Sequence, residues 1–503
     1  MLMAITTARR AALALTLAAA TVAPAAVGVT ATAVPAATPV AAAAPAAQGD
    51  IKDRLTAIPG VRSVVEASAP AGYRFFRFTF TQPVDHDDPS QGTFSQRLTL
   101  LHKDVSRPMV MYTSGYNVGS SASRSEPTRI VDGNQISMEY RFFEPSRPAG
   151  ADTPAEWMRL LTIRQAAADQ HRVIEAFKPL YAQRWLTTGG SKGGMTATYH
   201  RRFYPGDVSG TIPYVAPNDV RDHQDTYNAF LARVGDADCR DALTAVQRRV
   251  LRDRETYLAR LDTVDAASGY TYDDVVGNRE KAFESSVIDA YYAFWQYSKE
   301  SDCADIPDAA TASDDEIWDW FDGVSPLYGY ADELVATYTP YYFQADYQLG
   351  SPEPYEDRLK DLLRYPGANT ASTFTPDTVE AATFDRAAMP DVDRWVRKDS
   401  SQMLYVYGEN DPWSAEPFTC GPQGWKRACY RYDAPGGNHG SNIAGLRPAE
   451  REHATQLVLQ WAGLSPSDPA VQHVKKTGAP DFNRVLDRPQ KARGHGIAPL
   501  LQR

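Results

Sequence analysis

The sequence predicts an α/β fold: a largely parallel sheet with crossover helices and one long helical insertion. Three observations predict it. Apolar runs of strand length alternate with helical stretches as strand, helix, strand, turn, helix, strand, the order of a parallel sheet with crossovers. Gly189-Gly190-Ser191-Lys192-Gly193 fits G-x-S-x-G between a strand and a helix. Glycines on both sides allow a turn sharp enough to lift the serine hydroxyl clear of the backbone. Finally, 503 residues are more than one hydrophobic core normally serves, so a large domain plus an insertion is expected.

The elements follow in chain order. Arg9-Arg10 closes a short basic region, Ala11 to Ala20 is apolar, and Ala31-Thr32-Ala33 is a small-x-small cleavage site. This predicts a signal peptide over 1–33 and a secreted, extracellular protein. The apolar run is broken by Pro24 and is too short for a spanning helix, and no other membrane span is predicted. The Ala/Pro/Val-rich stretch over 34–49 has no polar patterning and reads as a disordered leader or pro-segment. Tyr73 to Phe80 alternates aromatic and polar residues as a strand does, and Leu98 to His102 is a second strand. Pro108 to Thr113 is apolar throughout, as for a strand buried on both faces, and ends in the loop Ser114-Gly115-Tyr116-Asn117. A single helix is predicted from Pro154 to about Phe177, with Trp157, Leu160, Leu161, Ala167, Ile174 and Phe177 on its buried face.

Trp185 to Thr188 then forms a strand leading into Ser191, a helix follows, and Thr211 to Ala216 is a further strand. The core therefore occupies 50–221 in its first part. The stretch 222–399 changes character. It is rich in Asp, Tyr and Trp, as in Tyr291-Tyr292-Ala293-Phe294-Trp295-Gln296-Tyr297, and is read as a mostly helical insertion. Strands resume at Met403 to Tyr407 and at Ala428 to Tyr432, and a helix from Pro448 to about Trp461 closes the core over 400–465. The tail 466–503 carries Lys475, Lys476, Arg484, Arg488, Lys491 and Arg493 and is expected to be surface-draped or mobile.

Hydrophobic content of 43% and charged content of 23% are ordinary for a globular protein. A formal net charge of -10 argues against a nucleic-acid partner. The four cysteines, Cys239, Cys303, Cys420 and Cys429, form an even set in an exported chain, which predicts two disulfides. Local pairing, Cys239 with Cys303 and Cys420 with Cys429, keeps each bridge within one region. None shows C-x-x-C spacing, so no metal site is expected.

A serine hydroxyl needs a base within hydrogen-bond reach and a group that orients the base. Asp411 follows one late strand in Gly408-Glu409-Asn410-Asp411-Pro412-Trp413, and His439 follows the next in Pro435-Gly436-Gly437-Asn438-His439-Gly440. Both loops lie beyond strand ends, where ligand chemistry collects in open α/β sheets. The order Ser191, Asp411, His439 is that of the α/β-hydrolases, and the long gap between the first two is where a cap is inserted. The predicted fold is therefore an α/β-hydrolase fold with an inserted, mostly helical cap domain. Glu409 and Asp433 are rival acids, and His102, His171, His200, His223 and His453 are weaker bases. For the oxyanion, the backbone N–H of Lys192 is one expected donor, and that of Gly115 or Tyr116 the second. The Lys192 side chain is expected to be solvated or paired with a carboxylate. No cofactor is expected.

Longer segments carry a resemblance. Gly189 to Met195 resembles the nucleophile turn of the bacterial secreted prolyl tri/tetrapeptidyl aminopeptidases, and is more distantly similar to the prolylcarboxypeptidase and dipeptidyl peptidase II group. Thr81-Gln82-Pro83-Val84-Asp85-His86 with Thr93 to Arg97 resembles that group's N-terminal signature. Glu139-Tyr140-Arg141-Phe142-Phe143-Glu144 resembles its Glu-His-Arg-Tyr-Tyr segment, and Asn410-Asp411-Pro412-Trp413 its acid turn. Lys192 stands where the prolylcarboxypeptidase group has Tyr, and Tyr140 where it has His, which places the chain nearer the bacterial enzymes. The resemblance implies a serine exopeptidase that cuts after proline near a free peptide N-terminus. Its partners would be such peptides. Trp413, Phe418 and Tyr116 are the candidate aromatic wall for a proline ring. Glu139 and Glu144 are candidates for the ammonium of the substrate, together with acids of the insertion, although a partner such as Arg141 or Arg147 is the plainer role for either glutamate. A lipase or esterase of the same fold, or a non-catalytic binding protein, are the alternatives. The sequence does not give the oligomeric state.

Overall fold

The computed structural model describes residues 49–222, 224–379 and 383–487. The signal peptide, nearly all of the leader, His223, and Arg488, Lys491 and Arg493 of the tail lie outside the described residues.

One nine-stranded sheet runs through the molecule. Its strands are β1 (Val61–Ala67), β2 (Arg74–Pro83), β3 (Thr93–His102), β4 (Met109–Thr113), β5 (Asn134–Met138), β6 (Trp185–Gly190), β7 (Gly210–Tyr214), β8 (Met403–Gly408) and β9 (Cys429–Ala434). The spatial order is β1-β2-β3-β5-β4-β6-β7-β8-β9. Pairings from β1 to β5 along this order are antiparallel, and every pairing from β5 onward is parallel. This is the α/β-hydrolase fold. Both faces are covered, as parallel strands require. Met109 and Met111 of β4 join the cluster of Val173, Ile174 and Phe177, whereas Val110 between them joins that of Val458 and Trp461.

Helix α1 (Pro154–Leu160) and helix α2 (Ile163–Phe177) replace the single helix expected. The break has two local causes. Thr162 caps α2 by accepting the Gln165 N–H, and Arg141 takes the Leu160 carbonyl at 2.6 Å, so both new ends are satisfied. Helix α3 (Lys192–Phe203) follows the serine.

Between β7 and β8 the described residues contain helices and no strand of the sheet. The longest are α4 (Ala237–Arg252), α5 (Arg254–Ser268), α6 (Arg279–Tyr297) and α7 (Asp314–Val324). The last helix of this stretch, α8 (Ala388–Lys398), packs Met389, Val392 and Val396 against Tyr199 of α3 and Tyr405 of β8, as a crossover helix of the sheet does. Disulfides join Cys239 to Cys303 and Cys420 to Cys429. Helix α9 (Pro448–Trp461) closes the core.

The described part of the tail runs along the surface and is anchored near its end. It forms helix α10 (Pro469–Thr477) and then seats Leu486 against Phe75 and Leu101. Arg124 and Asp487, both almost wholly buried, pair at 2.7 Å beside it. At the other end of the tail Asp468 pairs with Arg107 at 2.7 Å, and Val471 and Val474 of α10 pack on the cluster around Trp461.

Candidate active site

β6 delivers Ser191 at its C-terminal end. Ser191 has φ 54° and ψ -130°, a left-handed twist that a serine adopts only under constraint. Its N–H donates to the Tyr214 carbonyl of the neighbouring β7 at 2.9 Å. The flanking glycines are obligatory, because a Cβ on Gly189 would stand 2.4 Å from the Thr113 carbonyl oxygen, and one on Gly193 would stand 2.1 Å from the same atom.

β8 ends at Gly408, and Asp411 opens the short turn Pro412–Ala415. Asp411 is fully buried. Its carboxylate accepts the Trp413 N–H at 3.1 Å and the Ser414 hydroxyl at 2.9 Å, which fixes its plane. β9 ends at Ala434, and the loop beyond it carries His439. His439 Nδ1 lies 2.9 Å from Asp411 Oδ2. With Nδ1 donating to the carboxylate, Nε2 bears the lone pair, and this buried atom has no hydrogen-bond partner among the described residues. The backbone N–H of His439 donates to the Gln296 carbonyl at 2.9 Å, and the ring lies against Tyr297 and Trp413. Ser191, Asp411 and His439 thus stand at the C-terminal ends of β6, β8 and β9, one edge of the parallel sheet. No hydrogen bond joins Ser191 to His439 here, and such catalytic contacts are commonly loose until substrate binds.

The rival histidines that are described have structural partners. His102 bonds Tyr181, His171 and His200 bond Asp207, and His453 bonds Tyr432. Glu409 pairs with Arg447 and Asp433 with Arg431. His171, Glu175 and Asp207 bring ligand atoms within 4.8 Å of one another, but the Lys178 ammonium lies 2.8 Å from Glu175 and 4.0 Å from Asp207 and supplies positive charge there.

Lys192 departs from expectation. Its side chain is neither solvated nor paired with a carboxylate. It is 2% exposed, its ammonium donates to the Gly115 carbonyl at 2.9 Å, and it sits 3.3 Å from the centre of the Tyr140 ring. Burial pulls its pKa well below that of an ordinary lysine. As the first residue of α3, it has no intrahelical acceptor for its own N–H. The expected second oxyanion donors are engaged locally. The Gly115 N–H donates to Thr113 Oγ1 and the Tyr116 N–H to Ser114 Oγ, both at 3.1 Å.

The candidate substrate residues separate. Trp413 lines a cavity of about 100 Å³ whose wall includes Asp289, Tyr292, Tyr330, Tyr341 and Tyr342. Tyr116 is buried behind that wall, edge-on to Tyr341. Phe418 does not reach the cavity. It is fully buried and stacks on Tyr405 in the core. Glu139 is buried as well, holding Arg97, the Val118 N–H and the Ser146 hydroxyl, so its acceptors are spent within the core. Its partner is Arg97, while Arg141 pairs with buried Asp169 and Arg147 with Asp152. Glu144 is exposed and lies outside the cavity lining. The sequence reading missed Asp289. The aromatic run beginning at Tyr291 is its only nearby signal, because one Asp in an Asp-rich insertion carries none.

The chain is similar to known proteins over most of its length. The chain is 52% identical over 457 residues to the prolyl tri/tetrapeptidyl aminopeptidase of Streptomyces mobaraensis, covering 90% of this chain and 94% of that one. Similar solved structures include carboxyl esterase 2 of Tuber melanosporum, at 11% identity over 87% of this chain and 97% of that one, with a TM-score of 0.32. Another is the proline iminopeptidase of Mycobacterium smegmatis, at 13% identity over 80% of this chain and 99% of that one, with a TM-score of 0.30. Residues 43–496 match the PS-10 peptidase S37 family, and the chain belongs to that family.

Proposed function

We propose that this serine peptidase is an exported exopeptidase that cuts after proline and releases tri- and tetrapeptides from free N-termini. The observation that carries the reading is the buried Asp411–His439 hydrogen bond, on the sheet edge that also presents the strained Ser191 turn. His439 Nε2 takes the Ser191 proton as Oγ attacks the carbonyl carbon of the prolyl residue. Asp411 holds the imidazole in the tautomer that makes this possible and stabilises the imidazolium. The Lys192 N–H meets the oxyanion, and a second donor comes from the Gly115–Tyr116 loop once substrate displaces its local bond. Loss of one such donor costs about 3–4 kcal/mol in the barrier. His439 then gives its proton to the leaving amine. A water, deprotonated by His439, attacks the acyl ester, and the peptide acid departs as Ser191 regains its proton.

The rigid aromatic cavity beside Trp413 suits a proline ring. Two disulfides fit an oxidising compartment, and no helix of the described residues is long and apolar enough to cross a membrane. The mostly helical stretch 222–399 would form the cap.

Mass spectrometry of products from proline-scanned peptides, with free and acetylated N-termini, tests the reading. Expected are products ending in proline, from free N-termini, lost in S191A. Equal cleavage of acetylated peptides, or S191A retaining activity, would overturn it.

A further inference from the structure

We propose that Asp289 receives the α-ammonium of the substrate and that α6 is the ruler that sets the released peptide at three to four residues. This rests on the exopeptidase reading and deepens it. Asp289, Tyr292 and Gln296 all line the cavity, and their spacing puts them on one face of α6. The C-terminal end of that helix is locked to the loop that bears the imidazole. The Gln296 carbonyl accepts the His439 N–H at 2.9 Å, and Asn438 donates to the Tyr297 carbonyl at 2.8 Å. A rigid helix rooted at the catalytic histidine therefore carries a carboxylate into the cavity.

The length fits. From Gln296 back to Asp289 is seven residues, about 10 Å of helix at 1.5 Å each. Three extended residues span about 10 Å, four about 13 Å, and two only about 7 Å. A peptide whose prolyl carbonyl is at Ser191 and whose chain runs along α6 brings its N-terminus to Asp289 after three residues. Side-chain reach accommodates a fourth.

The chemistry fits as well. Among the described residues no Lys, Arg or His forms an ion pair with Asp289. Its neighbours are phenols, of which Tyr330 hydrogen-bonds it. Burial raises its pKa to about 7. An uncompensated carboxylate in such a place is costly, and an arriving ammonium relieves the cost. Tyr341 and Tyr342 line the same cavity and add aromatic rings of the kind that attract a cation. Glu353 lines the same cavity, but from a loop rather than from the helix bound to His439.

The test compares D289N and E353Q with the wild type on matched Ala-Ala-Pro chromogenic peptides, free or acetylated at the N-terminus. D289N is expected to lose about 10- to 100-fold in kcat/KM on the free peptide, mostly through KM, and its free-to-acetylated ratio should fall toward one. E353Q should keep the wild-type ratio. On proline-scanned peptides, D289N should spread its products beyond three and four residues. Wild-type stoichiometry of Ser191 labelling by a fluorophosphonate establishes that D289N is folded. A wild-type preference that survives in D289N, or that vanishes in E353Q instead, overturns the ruler alone. A wild type with no preference overturns the exopeptidase reading together with it.

Discussion

Lys192 is the residue whose setting changes most in passing from sequence to structure. A lysine beside a nucleophilic serine reads as a solvated or ion-paired side chain. Here it is buried beneath Tyr140, with Tyr116 and Phe143 close by, and its ammonium bonds the Gly115 carbonyl. That carbonyl belongs to the peptide unit whose N–H is that of Tyr116. Lys192 thus offers its own backbone N–H to the oxyanion and fixes the peptide plane of the second donor. K192M preserves the bulk but removes the anchor. It is expected to lower kcat by about 10- to 100-fold with KM little changed, read from steady-state kinetics on a free-N-terminus prolyl peptide. Asp289 makes a prediction of its own, independent of substrate. Its carboxyl ionises at 3.8 in an unfolded chain and at about 7 in the fold. Between these values the folded state holds a proton the unfolded state has lost, so stability falls as pH rises through that window. The groups around it are Tyr292, Tyr330, Tyr341 and Tyr342, with Glu353 on the same cavity, and none of them supplies a positive charge. D289N should therefore melt above wild type at pH 8, by about 1–5 °C, and show no such advantage at pH 4, as read by calorimetry.

At the level of elements, legibility followed the strength of the local pattern. Pro108 to Thr113 and Met403 to Tyr407 are apolar throughout because both faces are covered, and the structure has strands in both places. β5 escaped notice because Asn134, Gln135 and Ser137 look like surface residues. They are buried, with Asn134 tying down the Asp104 and Arg107 carbonyls and Gln135 bonding Ser125, Thr128 and Ser137. β1 is an edge strand, half exposed and irregular in register, with little apolar alternation to betray it. The α1–α2 break was equally hidden, since it depends on Arg141, a residue outside both helices, satisfying Leu160. In the candidate site, Ser191, Asp411 and His439 were legible because each sits in a glycine- or proline-marked turn after a strand. Phe418 turns into the core, and Glu139 has the arginine partner that was its plainer role, though Arg97 rather than Arg141 or Arg147, because sequence proximity to a motif does not say which way a side chain points. Asp289 was invisible because its meaning comes only from the cavity wall and from α6 meeting the His439 loop.

The whole molecule depends on how the helical stretch between β7 and β8 is held against the sheet. Cys239 lies in the first turn of α4, and Cys303 lies just beyond α6, in the turn Glu300–Asp305. The bridge therefore ties the start of α4 to the turn that follows the Gln296 end of α6. It closes a separation of 64 residues, against 9 for Cys420–Cys429. Chain entropy assigns about 4 kcal/mol to the longer loop and about 2.5 kcal/mol to the shorter. The short bridge lies within the core cluster under β8 and β9, away from the ruler. Removing the two bridges separately should thus give different phenotypes. C239S/C303S is expected to lose more stability in urea unfolding than C420S/C429S. It alone should broaden the lengths of released peptides, because only its bridge braces the turn that follows α6, the helix whose end hydrogen-bonds the His439 loop. If both variants release the same products as wild type, the position of α6 does not depend on the Cys239–Cys303 bridge, and the aromatic packing of Tyr292 and Tyr227 on Trp413 holds that helix without it.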